Sequence, residues 1–289
     1  MDIEFVKMES MGNDFVIIED IHEEIKEKFS YNEIAKNICD RKQGIGSDAC
    51  VFILDSISYD VKFLIYDYHG KPMKICGNGI RCFAKYVYEK KTVNKKKFKI
   101  ETYLGMVNAV IETNQYDEVL NISIEMGEPK FDSLVTPLIL EKDKGISEIL
   151  DLGITKVTIT AVSIGIPNAV IFVDNIEDAP VTILGPLIEN HTKFPEKTNA
   201  VFVEIRTSSE INMRIWERGE GETSSCISGA CAALVAANLN GLSKQECLVK
   251  SPGGEITIRW DTNSNKLYQI GSAKLVFEGT INLNIFKET

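Results

Sequence analysis

Two short turns hold the residues best suited to chemistry. Cys76-Gly77-Asn78-Gly79-Ile80-Arg81-Cys82 sets a cysteine beside two glycines at the mouth of a helical run, and Cys226-Ile227-Ser228-Gly229-Ala230-Cys231 sets one beside small residues and a single glycine in the second half. A helix N-terminus presents backbone N–H groups with no partner inside the helix, and a positive partial charge. A thiol placed there is expected to titrate below its ordinary value. A carboxylate can dock on the same amides, and small neighbours let it approach the backbone closely. Two such turns facing one another would hold a substrate carboxylate between two helix ends, with one sulfur on either face of the adjacent carbon. A single base that removes and returns a proton on one face favours retention. A thiolate that abstracts opposite a thiol that delivers gives inversion. Local context leaves packing open for both cysteines, because free cysteine is commonly a small buried hydrophobe. That reading is adopted for Cys39, Cys50, Cys82, Cys231 and Cys247.

Other chemistries fit these turns poorly. The C-x5-C and C-x4-C spacings are not those of zinc sites, and no histidine lies near the second cluster, so no metal is expected. There is no C-x-x-C redox pair, no P-loop Lys-Ser/Thr and no dinucleotide fingerprint.

The elements around the turns read mostly as short strands: Ile3–Lys7, Phe15–Glu19, Cys50–Leu54, Val61–Tyr66, Lys97–Glu101, Met106–Glu112 and Val119–Glu125. Lys156–Ser163, Ala169–Val173, Ala200–Arg206, Asn212–Trp216, Glu255–Trp260 and Lys274–Phe277 follow. Ser30-Tyr31-Asn32-Glu33 is a capping box opening an amphipathic stretch to about Cys39. Cys76–Glu89 and Cys226–Asn238 are longer helical runs, and Gly185–Asn190 is a shorter one. After Met126-Gly127-Glu128-Pro129 the order of elements restarts, and the polar segment to Asp132 reads as a linker. The pattern is a coarse internal duplication: an α+β pair of antiparallel domains spanning residues 1–127 and 128–277, with the tail at 278–289 returning to the first. Lys90–Lys99 reads as a solvated hairpin or helix end.

Composition bounds the partners. The 289 residues carry a net charge of −10, which suits neither nucleic acid nor an anionic membrane surface. The longest uncharged apolar stretch, Gly229 to Ala237, falls far short of a membrane span. Met1-Asp2-Ile3-Glu4 does not open a signal peptide, and seven cysteines, an odd number, suggest reduced thiols in the cytoplasm.

At six ordered places the chain resembles the diaminopimelate epimerase family, which works without pyridoxal phosphate. Met11-Gly12-Asn13-Asp14-Phe15 is similar to its GNDF start, and Gly44-Ile45-Gly46-Ser47-Asp48 to its GIGAD turn. Cys76–Ala84 (CGNGIRCFA) resembles CGNGARCFA. Leu184–Pro195 with Lys197-Thr198-Asn199 fits the segment before the last quarter. Glu217–Ala232 (ERGEGETSSCISGACA) resembles ERGAGETLACGTGACA, and Gly253-Gly254-Glu255 with Gly271-Ser272-Ala273 completes the set. The resemblance implies two pseudo-symmetric domains, each a curled, mostly antiparallel sheet around a central helix, with the site in the cleft. It implies Cys76 and Cys226 as the base pair. The amides of Gly77, Asn78, Ile227 and Ser228 would hold the reacting carboxylate. Asn13, Asn199, Glu217 and Arg218 would contact the rest of a small amino-acid substrate, Glu217 toward an amine and Arg218 toward a carboxylate. No cofactor is implied, and a homodimer is.

The departures from the family pattern are specific. Glu9-Ser10 stands where the family has His-Gly; Asp67-Tyr68-His69-Gly70 where it has an Asn-led turn; Gly165-Ile166-Pro167-Asn168 where it has G-N-P-H. Ile227 replaces a glycine, and Ala49 stands where Gly or Gln is common. Asp67 and Ile166 replace two asparagines that in the family help bind a distal carboxylate. Asn168 replaces a histidine and cannot accept a proton at neutral pH. The expectation is an amino-acid racemase or epimerase with a rebuilt distal pocket, taking histidine or a basic amino acid, with Asp67 either meeting that side chain or pairing with Arg218. The alternatives are an authentic diaminopimelate epimerase of lysine and peptidoglycan biosynthesis, and a catalytically silent amino-acid-binding protein.

Overall fold

The computed structural model describes residues 1–131 and 145–287, so the end of the expected linker at Asp132 and the last two residues of the tail lie outside the described residues. The chain forms two compact units, Met1–Ile124 with Gly271–Thr289, and Glu125–Ile270.

In the first unit, Asp2–Ser10 and Asn13–Glu19 form a hairpin around Met11-Gly12, whose φ angles are 53° and 80°. Left-handed backbone at both positions is what a tight two-residue hairpin requires. Gly12 adopts it without strain; Met11 does not. Asn13–Glu19 runs parallel to Ala49–Leu54, which pairs antiparallel with Val61–Asp67. Val61–Asp67 takes the short strand Pro72–Met73 antiparallel and Lys97–Thr102 in parallel. Gly105–Thr113 and Val119–Gly127 continue antiparallel, and Lys274–Asn282 returns to pair with Asp2–Ser10.

The second unit repeats this order of pairings. Lys156–Ser163 pairs antiparallel with Glu148–Asp151 and with Pro167–Phe172, which runs parallel to Asn199–Thr207. Glu210–Glu217 follows antiparallel; it takes the short strand Gly221–Thr223 antiparallel and Glu246–Ser251 in parallel. Gly254–Asp261 and Lys266–Gly271 continue antiparallel. The fold is thus α+β and duplicated, as expected.

Among the described residues there are four α-helices: α1 (Tyr31–Ile38), α2 (Gly77–Glu89), α3 (Val181–Glu189) and α4 (Ile227–Leu239). In α2 the buried residues Ile80, Phe83, Ala84 and Val87 form one stripe at helical spacing, which packs on the strands of its unit. In α4 every residue from Gly229 to Ala237 is buried, so strands cover it on all sides. Its small side chains permit this, and Leu234 and Val235 each contribute about 1.5–3 kcal/mol by full burial. Glycine at the third position of both helices leaves room for close approach to the sheet. A Cβ at Gly79 would lie 3.1 Å from the Phe15 ring, and one at Gly229 only 2.6 Å from Cδ1 of Ile215.

Several local expectations change. Ser30 is the N-cap of α1, but its hydroxyl makes no capping hydrogen bond. α3 begins four residues before Gly185 and includes Pro186. Glu148–Asp151, Glu246–Ser251 and Lys266–Gly271 are strands beyond those expected. The Lys90–Lys99 segment runs from the C-cap of α2 into the strand that begins at Lys97, and Lys90, Lys91, Lys95 and Lys96 are ion-paired to Glu278, Asp117 and Asp60. Among the described residues no helix is long and apolar enough to cross a membrane.

Candidate active site

Each unit builds one cysteine turn in the same way. A strand ends (Asp67; Glu217), the chain reverses through a short strand, and a helix begins with cysteine as its N-cap. Cys76 has φ −135° and ψ 118°; Cys226 has φ −146° and ψ 119°. Each accepts the first helical hydrogen bond at its carbonyl, from Ile80 and Ala230 respectively, both at 2.9 Å. Both sulfurs therefore leave extended residues at the positive end of a helix. These two cysteines are partly exposed, while Cys39, Cys50, Cys82, Cys231 and Cys247 are buried.

Around Cys76 the side chains form a polar chain. Asn78 donates to Oδ1 of Asn13 at 2.7 Å, and Asn13 donates to Asp48 at 3.1 Å. Arg41 bridges Asp14 and Asp48, and Lys7 meets Asp14 at 2.8 Å. Burial alone would raise the Asp14 carboxyl, but hydrogen bonds from Arg41 and Lys7 outweigh it and hold its pKa at about 2. The Asp67 carboxylate faces its own turn. It accepts from the amides of His69 at 2.9 Å and Lys71 at 2.8 Å, an Asx-type closure. Tyr68 and His69 lie in the turn after the strand ends at Asp67, and Tyr68 is exposed.

Around Cys226 the partners are acidic and hydroxylic. The thiol lies 3.3 Å from the Ser228 hydroxyl and is hydrogen-bonded to Glu217, whose carboxylate also accepts from Thr223. Desolvation and then the Glu217 charge push this thiol well above its ordinary value; Ser228 and the Gly229 amide oppose that less strongly. This corrects the expectation of a lowered pKa: at this helix end, burial and a carboxylate outweigh the dipole. Asn199 donates to Oδ1 of Asn168 at 3.0 Å and accepts from the Arg218 amide at 2.9 Å. Asn168 is buried and donates to the Ile166 carbonyl at 2.8 Å, so it braces the Gly165–Pro167 turn. Ile166 itself is exposed. The Arg218 guanidinium donates to the Glu196 carbonyl at 2.6 Å.

The expected residues thus gather into two local constellations, one in each unit: Asn13, Asp67, Cys76, Gly77 and Asn78, and then Ile166, Asn168, Asn199, Glu217, Arg218, Cys226, Ile227 and Ser228. The sequence reading missed the supporting residues Ser10, Asp14, Arg41, Asp48, Arg81 and Thr223. For Asp14, Asp48, Arg81 and Thr223 the only signal was membership of the GNDF, GIGSD, CGNGIRC and ERGEGET stretches; Ser10 and Arg41 lie outside all four and carried none. No group of three or more His, Cys, Asp or Glu among the described residues has the arrangement of a metal site.

The fold defines the class first. The chain has the fold of a phenazine biosynthesis protein of the PhzF family from Bacillus anthracis, with a TM-score of 0.68 over 98% of this chain and 100% of that one, at 17% identity. The sequence then narrows the class. The family model for diaminopimelate epimerase matches residues 5–131 and 160–276. Relatives named diaminopimelate epimerase include one from Desulforapulum autotrophicum, 42% identical over 98% of this chain and 100% of the relative. Another, from Heliobacterium modesticaldum, is 38% identical over 97% of this chain and 100% of the relative. The chain belongs to the diaminopimelate epimerase family and is an isomerase.

Proposed function

We propose that this protein is a diaminopimelate epimerase that inverts one α-carbon with Cys76 and Cys226 as paired acid and base, without a cofactor. The observation that carries the reading is the matched pair of partly exposed cysteines, each an extended N-cap at the start of a duplicated helix. Amides at each helix start (Gly77, Asn78; Ile227, Ser228) take the reacting carboxylate and stabilise the carbanion-like transition state. Glu217 meets the substrate amine, and Arg218, Asn13 and Asn199 fix the remainder. One sulfur, as thiolate, removes the α-proton while the other, as thiol, delivers a proton to the opposite face; the roles exchange in the reverse direction.

Preference for histidine or a basic amino acid is the weaker reading. It was motivated by Asp67 and Ile166, yet the Asp67 carboxylate is engaged by two amides of its own turn. Full-length relatives near 40% identity are named for diaminopimelate. Steady-state rates on LL- and meso-diaminopimelate, lanthionine, histidine, lysine and arginine test the choice. Efficiency at least about 100-fold greater on diaminopimelate is expected, a gap that losing a charged contact or two produces. Greater efficiency on histidine or a basic amino acid would overturn it. A homodimer working in the reducing cytoplasm, where both thiols persist, completes the proposal; sedimentation of the purified protein checks the first part.

A further inference from the structure

Arg81 lies within the first turns of α2 and is fully buried. Its Nη2 donates to Oδ1 of Asn78 and to Oγ of Ser10, both at 2.7 Å, and its Nη1 reaches the Gly77 carbonyl at 3.4 Å. Asn78 passes the contact to Asn13, and the Ser10 hydroxyl passes it to the Ser272 carbonyl at 2.9 Å. Ser10 and Asn13 face each other across the Met11-Gly12 turn. One guanidinium therefore joins the hairpin, the first turn of α2 and the segment after Gly271. Burying a cation is costly, and an apolar side chain would fill helix-to-sheet space without that cost. The second unit demonstrates this: Cys231 stands five residues after Cys226, as Arg81 stands five after Cys76, and is an uncharged buried thiol. The duplicated fold does not need a cation at this place, so the charge serves something particular to the first unit.

We propose that Arg81 is a positioning residue for Cys76, a role that rests on the catalytic reading above. Its guanidinium fixes the Cys76–Asn78 turn against the side chain of Asn13 and places a permanent positive charge in the first turns of the helix that Cys76 caps. The other charged or titratable groups at this end include Lys7 and Glu9 on the first strand, Asp14 on the second, Asp48 just before the third, Asp67 at the end of the fourth, Arg41 between Asp14 and Asp48, and Cys82 further along the helix. The strand Gly105–Thr113 turns the apolar Ala109 and Ile111 inward. A fixed cation in this setting favours the thiolate at Cys76.

The test is alkylation of the intact protein by iodoacetamide across pH 6 to 10, read separately for the Cys76 and Cys226 peptides by mass spectrometry. Wild type, Arg81→Met and Arg81→Lys are compared, with circular dichroism to establish folding. In Arg81→Met the half-alkylation pH of Cys76 is expected to rise by about one unit while that of Cys226 stays put. In Arg81→Lys the profile stays near wild type, but kcat/KM on diaminopimelate falls about tenfold or more, because an ammonium lacks the planar fork that spans Asn78 and Ser10. A folded Arg81→Met protein with an unchanged Cys76 profile overturns the proposal. If Arg81→Met does not fold, wild-type turnover by Arg81→Lys overturns it. Wild type inactive on diaminopimelate would sink the substrate assignment and leave the alkylation comparison in force.

Discussion

Glu217 is hydrogen-bonded to the Cys226 thiol across the mouth of α4, and it raises the pKa of the very group that a helix N-terminus is expected to lower. Burial first, and then this contact, push the Cys226 thiol well above its ordinary value. Bringing a substrate ammonium to Glu217 would redirect that carboxylate and relieve the sulfur. With Glu217 in its proposed role, substrate arrival and thiol activation would be coupled through this one carboxylate.

Glu217→Gln removes the charge while keeping an acceptor for Thr223. The Cys226 pKa is expected to fall, so its alkylation at pH 7.5 accelerates by about three- to tenfold. Turnover falls as well, because the substrate ammonium loses its counter-charge. An unchanged alkylation rate at Cys226 would remove the coupling.

Asp67→Asn keeps the carbonyl oxygen that accepts from His69 and Lys71, so stability is expected to change by no more than about 0.5 kcal/mol. Efficiency on diaminopimelate stays within about threefold, since the carboxylate faces its own turn. Asp67→Ala removes the acceptor from two solvent-exposed amides and costs about 0.5–1.5 kcal/mol in chemical denaturation. A tenfold gain in efficiency with Asp67→Asn would mean that the carboxylate reaches the substrate, restoring the altered-specificity reading.

Asp14 gives the fold an acid limit. Its folded pKa of about 2 lies below the ordinary 3.8, so its stabilising effect is complete above about pH 4 and is lost as pH falls through about 2. Asp14→Asn should therefore lose about 1–2 kcal/mol at pH 7, the half-exposed Arg41 partner reducing the effect. The deficit should shrink toward pH 2. A deficit that is constant from pH 7 to pH 2 would contradict the assignment.

The cysteine turns were legible in the sequence because their chemistry is local: cysteine, small residues and a helical run lie within one segment. The strands missed were those whose alternation is masked. Lys266–Gly271 buries Gln269, which donates to the Met126 sulfur, so its inward face does not read as apolar. Glu246–Ser251 turns only Cys247 and Val249 fully inward between charged ends. The direction of the Cys226 shift was not legible, because it depends on a carboxylate nine residues upstream that a strand, a turn and a short second strand bring to the sulfur. Asp67 shows the opposite error. At the corresponding distance before Cys76 it was read as part of the pocket, whereas its carboxylate closes the turn that follows its strand. Types and spacings located both carboxylates; only backbone geometry shows that one meets a thiol and the other meets two amides.

The central claim is inversion of diaminopimelate by two opposed thiols, and proton bookkeeping in D₂O tests it most directly. LL-diaminopimelate is incubated with the wild-type protein, and deuterium in the remaining substrate and in the product is followed from the first few per cent of reaction. The account predicts that meso product carries deuterium at the inverted carbon from the outset while the remaining LL substrate stays unlabelled, and that Cys76→Ser and Cys226→Ser, both folded, abolish or greatly slow inversion. Deuterium entering the LL substrate before inversion, or normal turnover in either serine variant, would contradict it.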